Sequence, residues 1–561
     1  MTSVGRAAVL SGVLIGAGTG LGFVRDLVMA HLFGASAGTD AFLVAWTIPE
    51  TVSPLLIEDA MALLMVPVVT RLLARGDGPR ALVGTALPRM VLGLSAGTLT
   101  LVAAAPLVVD VLAPGLTERG PAVQCVRLTA VTLVTFGVAG FMSATLRAHH
   151  RFGPPAAIYL AYNAGILALI AGFSGVVGIT SAAIGVACGS VLMVAVQAPA
   201  FVRCLRESPA APASPVRDVD LRLGLAAVAP IVVYTVTRQA QVFVERYFGS
   251  ELAAGSISHL NYAQKVAQVP MVLSLLIVTV TFPRLARASA DGDTGQVARR
   301  IRQDLAVASA MVLAATAFLV AFAPAVIKVL FEHGEFTSAD TQSTASILRV
   351  YALGLWGQSA VGLAARAFFA QKRPTWRPAG VLAVGLAVTA AIGGAFAASA
   401  GTLALAAANA AGITLAAVLL LRGLRPGVAP VALRRIAADV ARLVLTAAGA
   451  CAAGLLTAGA LGAGTPAIVQ LAAGGAVTAA AFAVLTVLAG PGLVASWIAV
   501  GPLGALGASG RRGRTESGEI SEPADRTDTP DRTGPPGEGG GGGGDPAGAA
   551  GADVPLGRPL P

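Results

Sequence analysis

Arg25 and Asp26 stand side by side inside one apolar stretch, and Glu50, Glu58 and Asp59 stand inside the next. Only a short Gly/Ala/Ser loop around 34–38 separates the two stretches. A charge within a lipid-spanning helix costs roughly 2.5–3.5 kcal/mol on insertion scales, so it turns toward a polar cavity or a partner. A guanidinium at such a place suits phosphate oxygens, which it can meet bidentately. Carboxylates there suit a coupling cation, a proton or an ion pair. Further along, Arg238 lies mid-run beside Gln239 and Gln241, and Lys265 lies in another apolar run. Alternatives stay open for each. Arg25 is a cavity ligand for an anion, or it pairs with Asp26 and Asp40 in a gate. Lys265 is a ligand or gating residue, or the partner of Glu50 or Glu58. Arg238 lines the cavity, or it pairs with Glu245 or Glu50.

Other chemistry is absent from the sequence. No nucleophile–base constellation and no GxxxxGK[ST] phosphate loop occurs, which argues against an enzyme and against ATP hydrolysis. The GluHisGlyGlu run at 332–335 reads as a solvated turn, and no metal-ligand spacing or cofactor motif is seen. Cys125, Cys188, Cys204 and Cys451 are scattered and read as small packing residues rather than a disulfide framework.

The elements that must hold these residues are membrane helices. The chain has 561 residues, 55% of them hydrophobic and 12% charged, with mean hydropathy +0.76. Apolar runs long enough to span a bilayer recur from end to end, and about fourteen spans are expected. Examples are 40–72, 84–112, 121–147, 222–248, 257–285, 305–331, 341–370, 376–397 and 402–422. The net charge of +10 might suggest nucleic acid. Its distribution excludes that reading. Arginines crowd alternate loops, as at Arg71–Arg80, Arg147–Arg151, Arg203–Arg222, Arg284–Arg302 and Arg422–Arg435, while the intervening loops are poor in base. This positive-inside pattern predicts both termini in the cytoplasm.

A weak repeat links Pro54, Pro67, Arg71, Ala74, Gly76 and Asp77 to Pro270, Pro283, Arg287, Ala290, Gly292 and Asp293. A six-span unit repeated in parallel predicts two lobes about a cleft. The expected architecture is an all-α membrane protein with two six-helix lobes related by a pseudo-two-fold axis, plus two extra helices. The expected boundaries are 1–206 and 218–425 for the lobes, 434–505 for the added helices and 506–561 for a disordered cytoplasmic tail. That tail carries a six-glycine run at 539–544. Prolines 49, 54, 67, 270 and 283 are expected to bend the cleft helices.

Several segments together resemble the MurJ/MviN family of lipid II flippases, within the multidrug/oligosaccharidyl-lipid/polysaccharide exporter superfamily. They are GFVRD at 22–26, LFGASAGTDAF at 32–42, IP at 48–49, EDA at 58–60, GSISHLNYAQKVAQVP at 255–270, TVTFPRLA at 279–286, LFEHGEFTSADT at 330–341 and ARAFFAQKRPTWRP at 365–378. The resemblance implies fourteen helices, two lobes and a V-shaped cationic cavity. It also implies a cargo of lipid II, or a similar undecaprenyl-diphosphate glycan, moved across the bacterial cytoplasmic membrane. Arg25, Asp40, Glu58 and Lys265 fall on family positions. Thr19, Glu50 and Ser53-Pro54 depart from it, standing where the family carries Arg, Asn and an Arg pair. The implied cavity is thereby less cationic and more acidic. Two alternatives stay open beside flipping of lipid II. One is a non-transporting scaffold that recruits cell-wall synthesis proteins. The other is an exporter of a different lipid-linked glycan or amphipathic solute.

Overall fold

The computed structural model describes residues 3–74, 80–207, 218–272, 291–371, 375–462 and 464–489. Several sequence expectations lie outside them: the repeat positions Gly76, Asp77, Pro283, Arg287 and Ala290, and the tail 506–561. The side chain of Asp59 also lies outside. Among the described residues every regular element is helical.

α1 (Ser3–Phe33) ends at Gly34, and Ser36 begins the next helix by accepting the Thr39 amide N–H on its hydroxyl. α2 (Ala37–Ser53) runs into a π-helical turn at Pro54–Asp59 before α3 (Ala60–Ala74) continues. The sequence predicts one bent span over 40–72, and this is its bend. Pro54 lacks an N–H, so the regular ladder fails there and the turn widens. α4 (Arg80–Ala103) and α5 (Ala105–Leu112) divide the stretch expected as 84–112, with Pro106 opening the second piece. α6 (Arg119–Thr129) and α7 (Thr132–Ala148) divide the stretch expected as 121–147. α8 (Gly153–Val177) and α9 (Thr180–Glu207) complete the first half.

The second half begins with α10 (Asp218–Ser250) and α11 (256–272). α12 (Thr294–Phe331) starts well before the expected 305, because Asp293 caps it through the Gln296 amide. α13 (Ser338–Leu353), opened by a Thr337/Asp340 capping box, meets α14 (Leu355–Phe369) at Gly354. α15 (Arg377–Gly427) carries one left-handed residue, Gly401 at φ 60, where two spans join at a kink that a side-chain-bearing residue would resist. α16 (Leu433–Leu461) and α17 (Ala467–Ala489) close the described chain.

Ten of these helical segments are long and apolar enough to cross a bilayer. That count covers the described residues; the expected span 257–285 runs past them, and the side chains at 222–227 of the expected span 222–248 lie outside them. Arg377–Arg425 counts once although Gly401 bends it. The stretch 341–370 is split at Gly354 into two short helices.

Packing falls into two sets. α8 lies against α1 and α9, α7 against α9 and α3, and α2 against α6. In the second set α10 lies on α15, α14 on α15, and α12 on α13, α14, α16 and α17. The sets meet where α10 touches α2, the π turn and α3, and where α1 touches α12. Trp46, Phe136, Tyr162 and Ile166 pack in the core of the first set, and Tyr262, Phe331, Phe336 and Tyr351 in that of the second. Leu92 on α4, Leu456 on α16 and Leu488 on α17 are 72%, 76% and 76% exposed. Apolar side chains turned outward on long apolar helices match a lipid surround, not water.

Candidate functional site

Two neighbouring cavities bring together six charged residues of the helices, Arg25, Glu50, Glu58, Arg238, Lys265 and Arg366. The first, of about 300 Å³, is walled by α1, α2 with its π turn, α8 and α11. Arg25, Glu50, Glu58, Tyr159, Asn163 and Lys265 line it together with Trp46 and Thr19. The second, of about 260 Å³, is walled by α10, α11, α14 and α15. Arg238, Arg366 and five glutamines, Gln239, Gln241, Gln264, Gln268 and Gln358, line it. Glu50 lines both cavities.

Arg25 is fixed on three sides. Its Nε and Nη2 donate to Asp26 Oδ1 at 3.1 and 2.7 Å, and its Nη1 donates to Asn163 Oδ1 at 3.2 Å. Its guanidinium lies 4.2 Å from the centre of the Trp46 ring, a cation–π arrangement strengthened by burial. Both Arg25 and Asp26 are 8% exposed. A guanidinium has five N–H donors, so this pairing leaves donor capacity toward the cavity. Asn163 is oriented in turn, because its amide donates to the Gly18 and Tyr159 carbonyls at 3.1 and 3.0 Å.

Lys265 of α11 reaches across to α2 and pairs with Glu50 Oε1 at 3.1 Å. The backbone carbonyl of Glu50 accepts from Gln239 Nε2 of α10 at 2.7 Å. Glu58 has a different role from Glu50. It accepts the Tyr159 hydroxyl at 2.7 Å, and that hydroxyl also lies 3.0 Å from Ser53 Oγ. Thr19 turns its hydroxyl to the Ile15 carbonyl.

Asp40 is placed apart from both cavities. Its Oδ2 accepts the Gly255 amide, and its Oδ1 accepts the Ser258 amide, each at 2.7 Å; Oδ1 also accepts the Ser258 hydroxyl at 2.5 Å. A carboxylate from α2 thus caps the N-terminus of α11 from outside, where orphan amides and the helix dipole favour negative charge. Gly255 sits at φ 88, and a Cβ there would lie 2.4 Å from the Ala35 carbonyl. The same region is closed by the Glu335 amide donating to the His31 carbonyl at 2.9 Å. The turn at 332–335 is therefore a docked loop, held between buried Phe331 and Phe336, and its backbone seals against the end of α1.

Against the sequence reading, Arg25 and Lys265 share one cavity, while Arg238 lines the neighbouring one. Among the described residues no carboxylate pairs with Arg238; Glu245 instead accepts from Asn409 Nδ2 at 2.6 Å. Arg246, read from the sequence as a base near the end of its span, is 1% exposed and donates to Asn261 Oδ1 at 3.3 Å. The sequence reading noted Gln239 and Gln241 beside Arg238 but missed Arg366, Asn163, Tyr159, Gln264, Gln268 and Gln358 as lining residues. Arg366 lies inside the ARAFFAQ motif and could have been noticed as a charge in an apolar run. The neutral amides carry no such signal.

Comparisons with known proteins bear on the family and the fold. The family model described as "Lipid II flippase MurJ" matches residues 29–466. The "Lipid II flippase MurJ" of Burkholderia cenocepacia is 26% identical over 378 residues, 65% of this chain and 73% of that protein. A "Probable lipid II flippase MurJ" of Vibrio cholerae is 26% identical over 384 residues, 63% of this chain and 71% of that one. Among solved structures, a lipid II flippase MurJ in an inward closed conformation aligns at TM-score 0.71 and 19% identity, over 86% of this chain and 98% of that one. A multidrug resistance MATE family transporter, inward-facing, shares the fold more distantly, at TM-score 0.54 and 15% identity. With the family model covering most of its length, this multi-pass membrane chain belongs to the MurJ family of lipid II flippases.

Proposed function

We propose that the chain carries lipid II from the inner to the outer leaflet of the bacterial cytoplasmic membrane by alternating access, and that it is a transporter rather than a catalyst. The observation that carries this reading is the placement of Arg25 and Lys265, from α1 and α11, on one cavity within a chain of this family. In this reading the cargo's diphosphate sits between them, and its amide-rich glycopeptide head is received by the neighbouring Arg238 cavity. The partition of helices into two packed sets supports two lobes that move against each other. The arginine-rich alternate loops support cytoplasmic termini. Moving about two negative charges outward across an inside-negative potential of ~100 mV releases roughly 4–5 kcal/mol, enough to bias the cycle.

Complementation of a flippase-deficient strain tests the proposal. Arg25→Ala or Lys265→Ala at normal expression should abolish growth. Arg25→Lys should be a partial defect, since charge remains while the planar fork is lost. Wild-type growth from the Arg25→Ala/Lys265→Ala double variant would rule out the cationic-cavity mechanism and leave a scaffold in its place.

A further inference from the structure

Both cations of the first cavity hold a carboxylate, and they hold it differently. Arg25 is bound to its own chain neighbour Asp26 through two N–H groups and is further fixed by Asn163. Lys265 holds Glu50 through one contact of 3.1 Å between separate helices, and both side chains are 18% exposed. The other carboxylate oxygen of Glu50, Oε2, is buried and has no hydrogen-bond partner among the described residues. Of the two pairs, the one held by a single direct contact across separate helices is the more readily exchanged, and a newcomer must offset the buried charge it leaves behind. Glu50 is therefore the exchangeable anion of the site.

The exchange has a charge requirement. A lipid with a single phosphodiester, the commonest anion in the surrounding membrane, offers one negative charge. To take Lys265 it must displace Glu50 and leave that carboxylate unpaired, so one ion pair is traded for another. A diphosphate offers two anionic groups. One meets the open donors of Arg25 while the other takes Lys265, so the loss at Glu50 is offset by two new contacts.

We infer that Glu50 is a specificity-determining residue, an internal competitor that reserves the cavity for lipid diphosphates by holding Lys265 against lipids with a single phosphate. This rests on the cavity being the lipid-diphosphate site proposed above, and it names what keeps bulk phospholipid out.

The test is a binding titration of the purified full chain in detergent, followed by native mass spectrometry, with undecaprenyl diphosphate and the phosphodiester lipid phosphatidylglycerol as probes. The unaltered chain should prefer the diphosphate. Glu50→Gln keeps the size of the side chain and an oxygen for Lys265 but removes the charge. It should bind phosphatidylglycerol more tightly and reduce the diphosphate preference about tenfold or more. Glu50→Asp, which keeps the charge, should retain the preference. A second measurement needs no variant: excess phosphatidylglycerol should leave undecaprenyl diphosphate bound to the unaltered chain. An unchanged preference in folded Glu50→Gln, or displacement by phosphatidylglycerol at comparable concentration, overturns the role of Glu50 while the cavity reading stands. Failure of the unaltered chain to bind undecaprenyl diphosphate overturns the cavity reading itself.

Discussion

Single residues decide how firmly the two helix sets are joined, and Asp40 is the clearest case. It closes three hydrogen bonds to α11 from α2, two of them to backbone amides. Asp40→Ala would orphan buried donors at a helix start, a loss of about 2–4 kcal/mol. We expect a clearly lower thermal midpoint by fluorescence-detected size exclusion. Asp40→Asn, with one accepting oxygen, should fall between. An unchanged midpoint in Asp40→Ala would show that the cap is dispensable. Asp40, Arg25 and Lys265 were all visible in the sequence, because an ionisable group in an apolar run is conspicuous. What each pairs with was not visible. Nothing in the local sequence says that Asp40 meets Gly255 and Ser258 more than two hundred residues away, or that Arg246 is buried. Asn163, Gln264, Gln268 and Gln358 went unread because a neutral amide with no charge beside it is unremarkable on a helix.

At the scale of elements, the π turn at Pro54–Asp59 is the feature with the most leverage. A π turn accommodates an extra residue, so everything after it is rotated relative to a regular helix. That rotation brings Glu58 to Tyr159 while Glu50, one segment earlier, faces Lys265. Pro54→Ala restores the missing donor and favours a regular ladder. Insertion should be normal, with complementation reduced severalfold; full complementation would show that the turn's register is not used. The prolines foretold that this helix bends. They did not foretell the kind of bend, because a kink and a π turn share the same local cause, a missing N–H. The break at Gly354 was hidden inside the apolar run expected as 341–370, whereas the break at Gly401 falls where the expected spans 376–397 and 402–422 part.

For the whole molecule, the arrangement of charge along the chain predicts its orientation. Reporter fusions after Gly249 and Arg511 should report outside and inside respectively, and the reverse at either site would overturn the cytoplasmic placement of the termini. Class and family were legible from composition and from motifs spread over the chain. The division of the polar interior into two cavities was not, since it depends on where α10, α11 and α14 come to rest. That interior also carries its own lamp. The stack of Arg25 on Trp46 places an indole 4.2 Å from the guanidinium at the heart of the first cavity. The chain has only four tryptophans, and Trp356, Trp376 and Trp497 can be replaced by phenylalanine. Emission from the remaining indole then follows the electric field around Arg25 directly, so that arrival and departure of an anion become visible as colour and intensity in real time, without a label attached to cargo or protein.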